Sequence, residues 1–313
     1  MTELLVLNED DVRRVLDLDA LADALRTAFR SVSSGTASTP SRVGALSGSG
    51  LLGAMPGFVP ELGLGAKLVT YFRDNHARGV PAHQALITLF GAEDGVPLVL
   101  MGATHITGIR TAMSAAVAAV ALARPDVRSL AILGAGVQGR THLTAFTHQF
   151  AFADIRVASR DLGHARALAD GVAGARAVDS FEDAVRGADV VCLCTDADGP
   201  VIARGWLDAG THVSSVGSGA EVDPETLAGA SVFVESRSSA VQAFPAGARE
   251  LAGRDPETVV EVGEVLLGTR PGRRSAEEIT VYKSMGHASE DVAAAAVVYR
   301  AALAAQVGTR ISV

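Results

Sequence analysis

The sequence predicts an α/β protein in which a region of alternating strands and helices follows a region of mostly antiparallel strand. Three observations lead there. Apolar runs at Ser129–Leu133, Asp154–Ser159, Ala188–Cys194, Thr211–Val216 and Ser231–Val234 are separated by helical segments, the pattern of parallel strands with crossover helices. Upstream, Ala85–Phe90 and Pro97–Met101 flank Asp94-Gly95, a hairpin signal. Between the two regions, Thr107 to Arg124 is Ala-rich, with no Gly or Pro after Gly108, and reads as a long helix.

The remaining elements follow in order. Leu4–Leu7 reads as a strand. Asn8 to Asp11 supplies helix-start chemistry for a helix through Arg30, on which Val12, Val15, Leu16, Leu21, Leu25 and Phe29 recur near helical spacing. Ser31 to Pro40 reads as a loop, and Leu51–Met55 and Gly65–Phe72 as strand pieces. Ser289 to Gln306 closes the chain as a helix rich in Ala and Val.

Composition narrows the classes. The chain has 313 residues, which suits two domains, and 48% hydrophobic residues exclude disorder. With 27 Lys+Arg against 35 Asp+Glu and no basic run, nucleic acid is not an expected partner. The longest apolar stretch, Ala112 to Ala123, is about a dozen residues, short of the ~20 needed to span a membrane. Met1-Thr-Glu-Leu shows no basic start before an apolar core, so a cytoplasmic location is expected. Cys192 and Cys194 read as buried strand thiols, too few for a structural zinc site. His83, His105, His212 and His287 lack paired metal spacing, so no metal is expected.

The most informative motif is Gly134-Ala-Gly136-Val137-Gln138-Gly139, set after an apolar strand and before a helix expected at His142 to Phe150. That context fits a dinucleotide pyrophosphate: one glycine for the tight turn, one for close backbone approach, one for helix–strand packing. At the end of the next strand stand Ser159 and Arg160, where an NAD site usually has a carboxylate. Arginine suits a ribose phosphate, which favours NADP, while Asp161 keeps NAD possible.

Substrate chemistry must come from elsewhere. Arg42, Lys67 in an apolar run, and Arg110 at the start of the alanine helix are the candidate cations. A lysine in apolar surroundings can lower its pKa and transfer protons. Glu277, Glu278, Glu290 and Asp291 read as helix-start or surface charges, and His287 as a bystander.

Together these residues resemble the ornithine cyclodeaminase and mu-crystallin family over nearly the whole chain. The resemblance rests on Gly65-Ala-Lys67, Thr107-Gly-Ile-Arg110-Thr-Ala, the glycine motif, Ala188-Asp189-Val-Val, Glu221-Val-Asp223-Pro224, Ile279 to Gly286, and Glu290-Asp291. It implies a Rossmann dinucleotide-binding domain, residues 122–289, and a mixed α+β substrate and dimerisation domain, residues 1–121 with 290–313. It implies a homodimer that uses NADP or NAD. Arg42 and Arg110 would clamp a substrate carboxylate, Lys67 would act beside the reacting carbon, and Ser284, Met285 and Gly286 would lie near the nicotinamide. One departure bears on the reaction. Gly219 stands where cyclodeaminases carry an Asp that handles the ornithine amine, and the loop before Glu221 is short. The expected activity is therefore reduction of a small, cyclic 2-imino acid, or the reverse. The alternatives are ornithine cyclodeaminase and an NADP-dependent ligand-binding protein.

Overall fold

A computed structural model describes residues 3–217, 219–244 and 246–313; Met1 and Thr2, which begin the N-terminal reading, and Ser218, in the short loop, lie outside the described residues. In chain order the first half comprises β1 (Glu3–Leu7), α1 (Glu9–Val15), α2 (Leu18–Ser33), β2 (Val43–Leu46), β3 (Leu51–Val59), β4 (Gly63–Tyr71), β5 (His83–Phe90), β6 (Pro97–Gly102) and α3 (Thr104–Leu122). The middle comprises β7 (Ser129–Leu133), α4 (Val137–Gln149), β8 (Asp154–Ala158), α5 (Leu162–Ala169), β9 (Ala175–Ala177), α6 (Phe181–Val185), β10 (Val190–Leu193) and β11 (His212–Ser215). The last part comprises α7 (Pro224–Gly229), β12 (Ser231–Val234), α8 (Arg237–Ala240), β13 (Val260–Glu261), α9 (Val262–Leu267), β14 (Thr280–Lys283), α10 (Ala288–Ala305) and β15 (Thr309–Ser312). Two compact units result: Met1–Arg110 with His287–Val313, and Thr111–Gly286.

The first unit is built on a seven-stranded sheet, ordered β15-β1-β6-β5-β4-β3-β2. Only the β1–β6 pair is parallel among the described pairings of this sheet. Register puts Met55, Lys67, Ile87 and Met101 in one row across β3 to β6, on the buried face, with α10 against β3, β4 and β5. The helix expected from Val12 to Arg30 is two helices. Asn8 and Asp11 form a capping box for α1, and Asp17 adopts extended backbone and caps α2 through Ala20 N–H, which restarts the helix.

The second unit holds an eight-stranded sheet, ordered β13-β12-β14-β11-β10-β7-β8-β9, with every described pair parallel. The order reverses at β7, which is the switch point of a doubly wound sheet. β14 arrives late in sequence but inserts between β11 and β12. One core cluster is mostly Val, Leu, Ile and Ala from a single face of this sheet, where Ala131, Val191, Val213, Val281 and Val232 share a register row, and from the segments packed on that face. β9, β13 and β14 escape the sequence reading: two are three residues or shorter, and β14 lies inside the Ile279–Gly286 motif.

Two helix starts differ from expectation. α4 begins at Val137, not His142, directly on the glycine turn. α3 begins at Thr104, because the Glu9 carboxylate of α1 accepts from Thr104 N–H (2.7 Å) and His105 N–H (2.9 Å). α3 is long and apolar enough to cross a membrane by length and composition, but 78% of that window is buried inside the protein, as in a core helix. Cys192 and Cys194 are free and buried, and burial pushes both thiols well up.

Because Glu9 satisfies orphan amides at the head of α3, Glu9→Ala is expected to cost about 1–2 kcal/mol in urea unfolding. Glu9→Gln, which keeps an acceptor, should recover part of that loss.

Candidate functional site

In the first unit, four charged side chains from three elements meet out of solvent. Lys67 comes from the buried face of β4, Arg110 from α3, and Glu290 and Asp291 from the first turn of α10. Their exposures are 2%, 3%, 0% and 1%. Lys67 Nζ donates to Asp291 Oδ1 at 2.9 Å and lies 2.8 Å from Oδ2. Arg110 pairs through Nη1 with Glu290 and through Nε with Asp291, at 2.9 Å in the second case. The first turn of a helix favours carboxylates, so α10 offers the anions where its dipole supports them.

This corrects two readings. Glu290 and Asp291 are helix-start residues but not surface charges. Arg110 is not at a helix start but seven residues into α3. The signal for the first lay in α10 itself, whose later residues are Ala and Val on most positions. A helix apolar all round is buried, and the charges in its first turn are buried with it. His287 caps that turn: its N–H donates to Glu290 and its ring Nδ1 lies 2.8 Å from Ser289 Oγ.

Burial is the largest influence on Lys67, and Arg110 adds to it, so its pKa is lowered from 10.5 to about 8; Asp291 opposes the shift and Arg42 contributes in the same direction as Arg110. Arg42, half-buried ahead of β2, thus acts on the same amine. The structure brings Lys67 and Arg110 onto one carboxylate, Asp291, and Arg42 bears on the Lys67 amine through its charge. Removing charges from water this completely contributes little to stability, and apolar side chains of similar volume would serve the fold as well. Buried groups with shifted pKa values mark functional sites.

In the second unit, Gly134 has φ of +107°, a conformation that disfavours any side chain, and a Cβ there would run into the Cys194 carbonyl. A Cβ on Gly139 would run into the Gly134 carbonyl, so α4 packs directly on the turn. Gly136 is different: it is the N-cap of α4, makes no side-chain cap bond, and a Cβ there would meet nothing within 4 Å. That opening, at uncapped helix amides, fits the pyrophosphate of a dinucleotide. Gly134, Gly136, Val137, Gln138 and Gly139 would hold it. Past β8, Ser159 is partly buried; Arg160 is exposed and makes no ion pair among the described residues. Asp161 accepts from Gly163 N–H and His164 N–H as the N-cap of α5.

Three buried carboxylates that the sequence did not single out as site residues shape the strand ends of this sheet. Glu221 accepts from Thr195 N–H (2.8 Å) and Oγ1 (2.6 Å), Ser215 Oγ (2.9 Å) and Gly217 N–H (2.8 Å). Glu250 pairs with Lys283 at 3.0 Å, and Lys283 Nζ also donates to Ser215 Oγ and Gly217 O. Glu235 accepts from Ser284 Oγ, Met285 N–H and Gly286 N–H. A Cβ on Gly219 would run into the Ala197 carbonyl, so no side chain fits there without moving the backbone.

Lysine occurs only at positions 67 and 283. Protein labelled with [13C]lysine therefore offers two side-chain signals, and one is expected to titrate with a midpoint of about 8. Asp291→Asn should lower that midpoint further, since Asp291 raises it. Between about 8 and 10.5 the unfolded chain binds more protons at Lys67 than the folded one, so this group makes stability rise with pH through that window.

The family model for the ornithine cyclodeaminase/mu-crystallin family matches residues 2–306. The chain is 38% identical over 256 residues to ketimine reductase mu-crystallin of Mus musculus, covering 80% of each chain. Its structure is similar to that of Thermococcus litoralis Delta(1)-pyrroline-2-carboxylate reductase in complex with NADH and L-proline (TM-score 0.92, 29% identity, 98% of this chain and 100% of that one). It is equally similar to an archaeal alanine dehydrogenase dimer with bound NAD (TM-score 0.92, 31% identity, 99% of each chain). The chain belongs to the ornithine cyclodeaminase/mu-crystallin family.

Proposed function

We propose that the protein is a nicotinamide-dinucleotide-dependent oxidoreductase that reduces a small, cyclic 2-imino acid to the amino acid, or runs the reverse. The observation that carries this reading is Lys67 beside Arg110: a buried amine with a pKa of about 8 next to a cation that stays charged. Such a substrate presents a carboxylate one bond from a carbon–nitrogen double bond. Reduction adds a hydride to the carbon and a proton to the nitrogen. A bound dinucleotide supplies the hydride. Lys67, protonated below its pKa and pressed by Arg110 and Arg42 to release its proton, serves the nitrogen. Arg110 and Arg42 hold the carboxylate, with Arg110 fixed in place by Glu290 and Asp291. The names of the mouse relative and of the Thermococcus structure support a substrate of this class.

The cofactor is NADP in preference to NAD. Arg160 stands exposed at the end of β8, and Asp161 is committed to capping α5. The protein is a cytoplasmic homodimer. The outward face of its first sheet carries exposed Val43, Leu68 and Leu86 in a register row through Ala54, with Leu46 and Leu52 nearby. A second copy is the partner such a face suits, and the structurally similar archaeal alanine dehydrogenase is a dimer.

The test is oxidation of NADPH and NADH against pyruvate with ammonia or methylamine, pyrroline-2-carboxylate, piperideine-2-carboxylate and a sulfur-containing cyclic ketimine. Turnover of a cyclic imine is expected, with kcat/KM falling above about pH 8 as Lys67 loses its proton. Arg110→Ala should lower kcat/KM roughly a hundred-fold, and Arg110→Lys should not restore it. Proline and ammonia from ornithine, without imine reduction, would overturn the reading in favour of the lyase. Tight binding with no turnover would favour a ligand carrier.

Arg160→Ala should cut the preference for NADPH over NADH by roughly ten-fold, read as the ratio of kcat/KM values. Leu86→Glu should shift the sedimentation coefficient from dimer to monomer.

A further inference from the structure

We infer that Glu235 is a positioning residue for the dinucleotide: it fixes the Ser284–Gly286 turn, and through it the nicotinamide end of the site. The inference rests on the dinucleotide reading above. Glu235 is the first residue beyond β12 and is 4% exposed. A single carboxylate oxygen, Oε1, accepts from Ser284 Oγ (2.6 Å), Met285 N–H (3.1 Å) and Gly286 N–H (2.9 Å). Gly286 sits at φ of +71°, so the turn is tight and its amides converge. Converging amides and a hydroxyl make a cup for an anion. Here the chain fills that cup with its own side chain, from the neighbouring strand.

The location gives this clamp its role. β14 ends at Lys283, whose Nζ is tied to Ser215 Oγ, Gly217 O and Glu250, so the turn starts from a fixed strand end. Glu235 then fixes the next three residues. In a parallel sheet, ligands bind outside the carboxyl ends of the strands near the switch point. From β7, which carries the glycine turn, to β14 is three strand spacings, roughly 14 Å, and in this all-parallel sheet both strands end on the same edge. The pyrophosphate end is organised by glycines and helix amides. The far end has a turn whose shape depends on one buried carboxylate. Removing that carboxylate frees three donors and lets the turn relax, while the glycine turn keeps its own support.

The test compares two ligands in the intact protein. NADPH and NADH reach both ends of the site; 2′,5′-ADP and ADP reach only the adenosine end. By fluorescence titration and calorimetry, Glu235→Ala is expected to weaken the dinucleotides roughly ten- to hundred-fold and to leave the ADP ligands within about two-fold. Glu235→Gln keeps an oxygen acceptor and should restore affinity to within about three-fold of the wild type. Amide exchange in ligand-free protein gives an independent readout: Met285 and Gly286 should lose protection in Glu235→Ala and keep it in Glu235→Gln. If Glu235→Ala does not fold, Glu235→Asp carries the test, since it keeps the charge but withdraws the oxygen, and the same selective loss is expected. Equal weakening of both ligand classes, or no change in either, would overturn the inference. A wild type that binds no nicotinamide dinucleotide would instead sink the function proposed above, and amide exchange would still report on the clamp.

Discussion

The first unit depends on neutralising Lys67 and Arg110 where water does not reach. A charge taken from water into protein costs several kcal/mol unless it is paired at close range. Two cations therefore need two anions, and the geometry must serve all four at once. That requirement ties β4, α3 and α10 to one another, although Lys67 and Asp291 are 224 residues apart in sequence. It also explains why the C-terminal helix returns to the N-terminal sheet. Its first turn is where carboxylates sit best on a helix, and its apolar flanks fill the space around them. The choice of cation matters as well. Arginine at 110 holds its charge under all ordinary conditions, while lysine at 67 can give up a proton. Both lysines of the sequence are buried, so no lysine stands on the surface.

The second unit uses carboxylates in another way. Glu221 and Glu235 do not chiefly balance cations. They collect hydroxyls and backbone N–H groups from the ends of neighbouring strands. Loops after parallel strands lack the ladder bonds that hold the strands themselves, and each buried amide needs an acceptor. A glutamate can serve several at once. Insertion of β14 between β11 and β12 makes this possible, because it sets Lys283 beside the end of β11 and Ser284 beside the end of β12.

What was legible in the sequence was local. The glycine turn, five of the eight strands of the parallel sheet and the Asp94-Gly95 hairpin announce themselves within a dozen residues. Lys67 was legible because a charge inside an apolar strand has few uses. What escaped depends on partners far away in sequence. The start of α3 was misplaced because its amides are satisfied by Glu9, 95 residues earlier, so no cap stands next to it. Glu290 and Asp291 carry only the indirect signal of the apolar helix that follows them, and nothing beside them in sequence names the buried guanidinium they meet. Glu235 follows an apolar strand as many surface glutamates do, and only the late insertion of β14 gives it donors to hold.

The loop after β11 shows how packing limits chemistry. Gly217 is held from both sides, its N–H by Glu221 and its carbonyl by Lys283, and Gly219 lies flat against the Ala197 carbonyl. A carboxylate at position 219, where the cyclodeaminases of this family carry one, would need the backbone to move away from Ala197 and break that seat. Position 219 is thus closed to an acid by its backbone and not only by the identity of its residue. In the proposed reduction, proton handling falls to Lys67, which has a lowered pKa and a carboxylate partner to tune it. A chain with that lysine and without that acid is equipped to deliver one proton to a nitrogen, which is what net reduction of an imine requires.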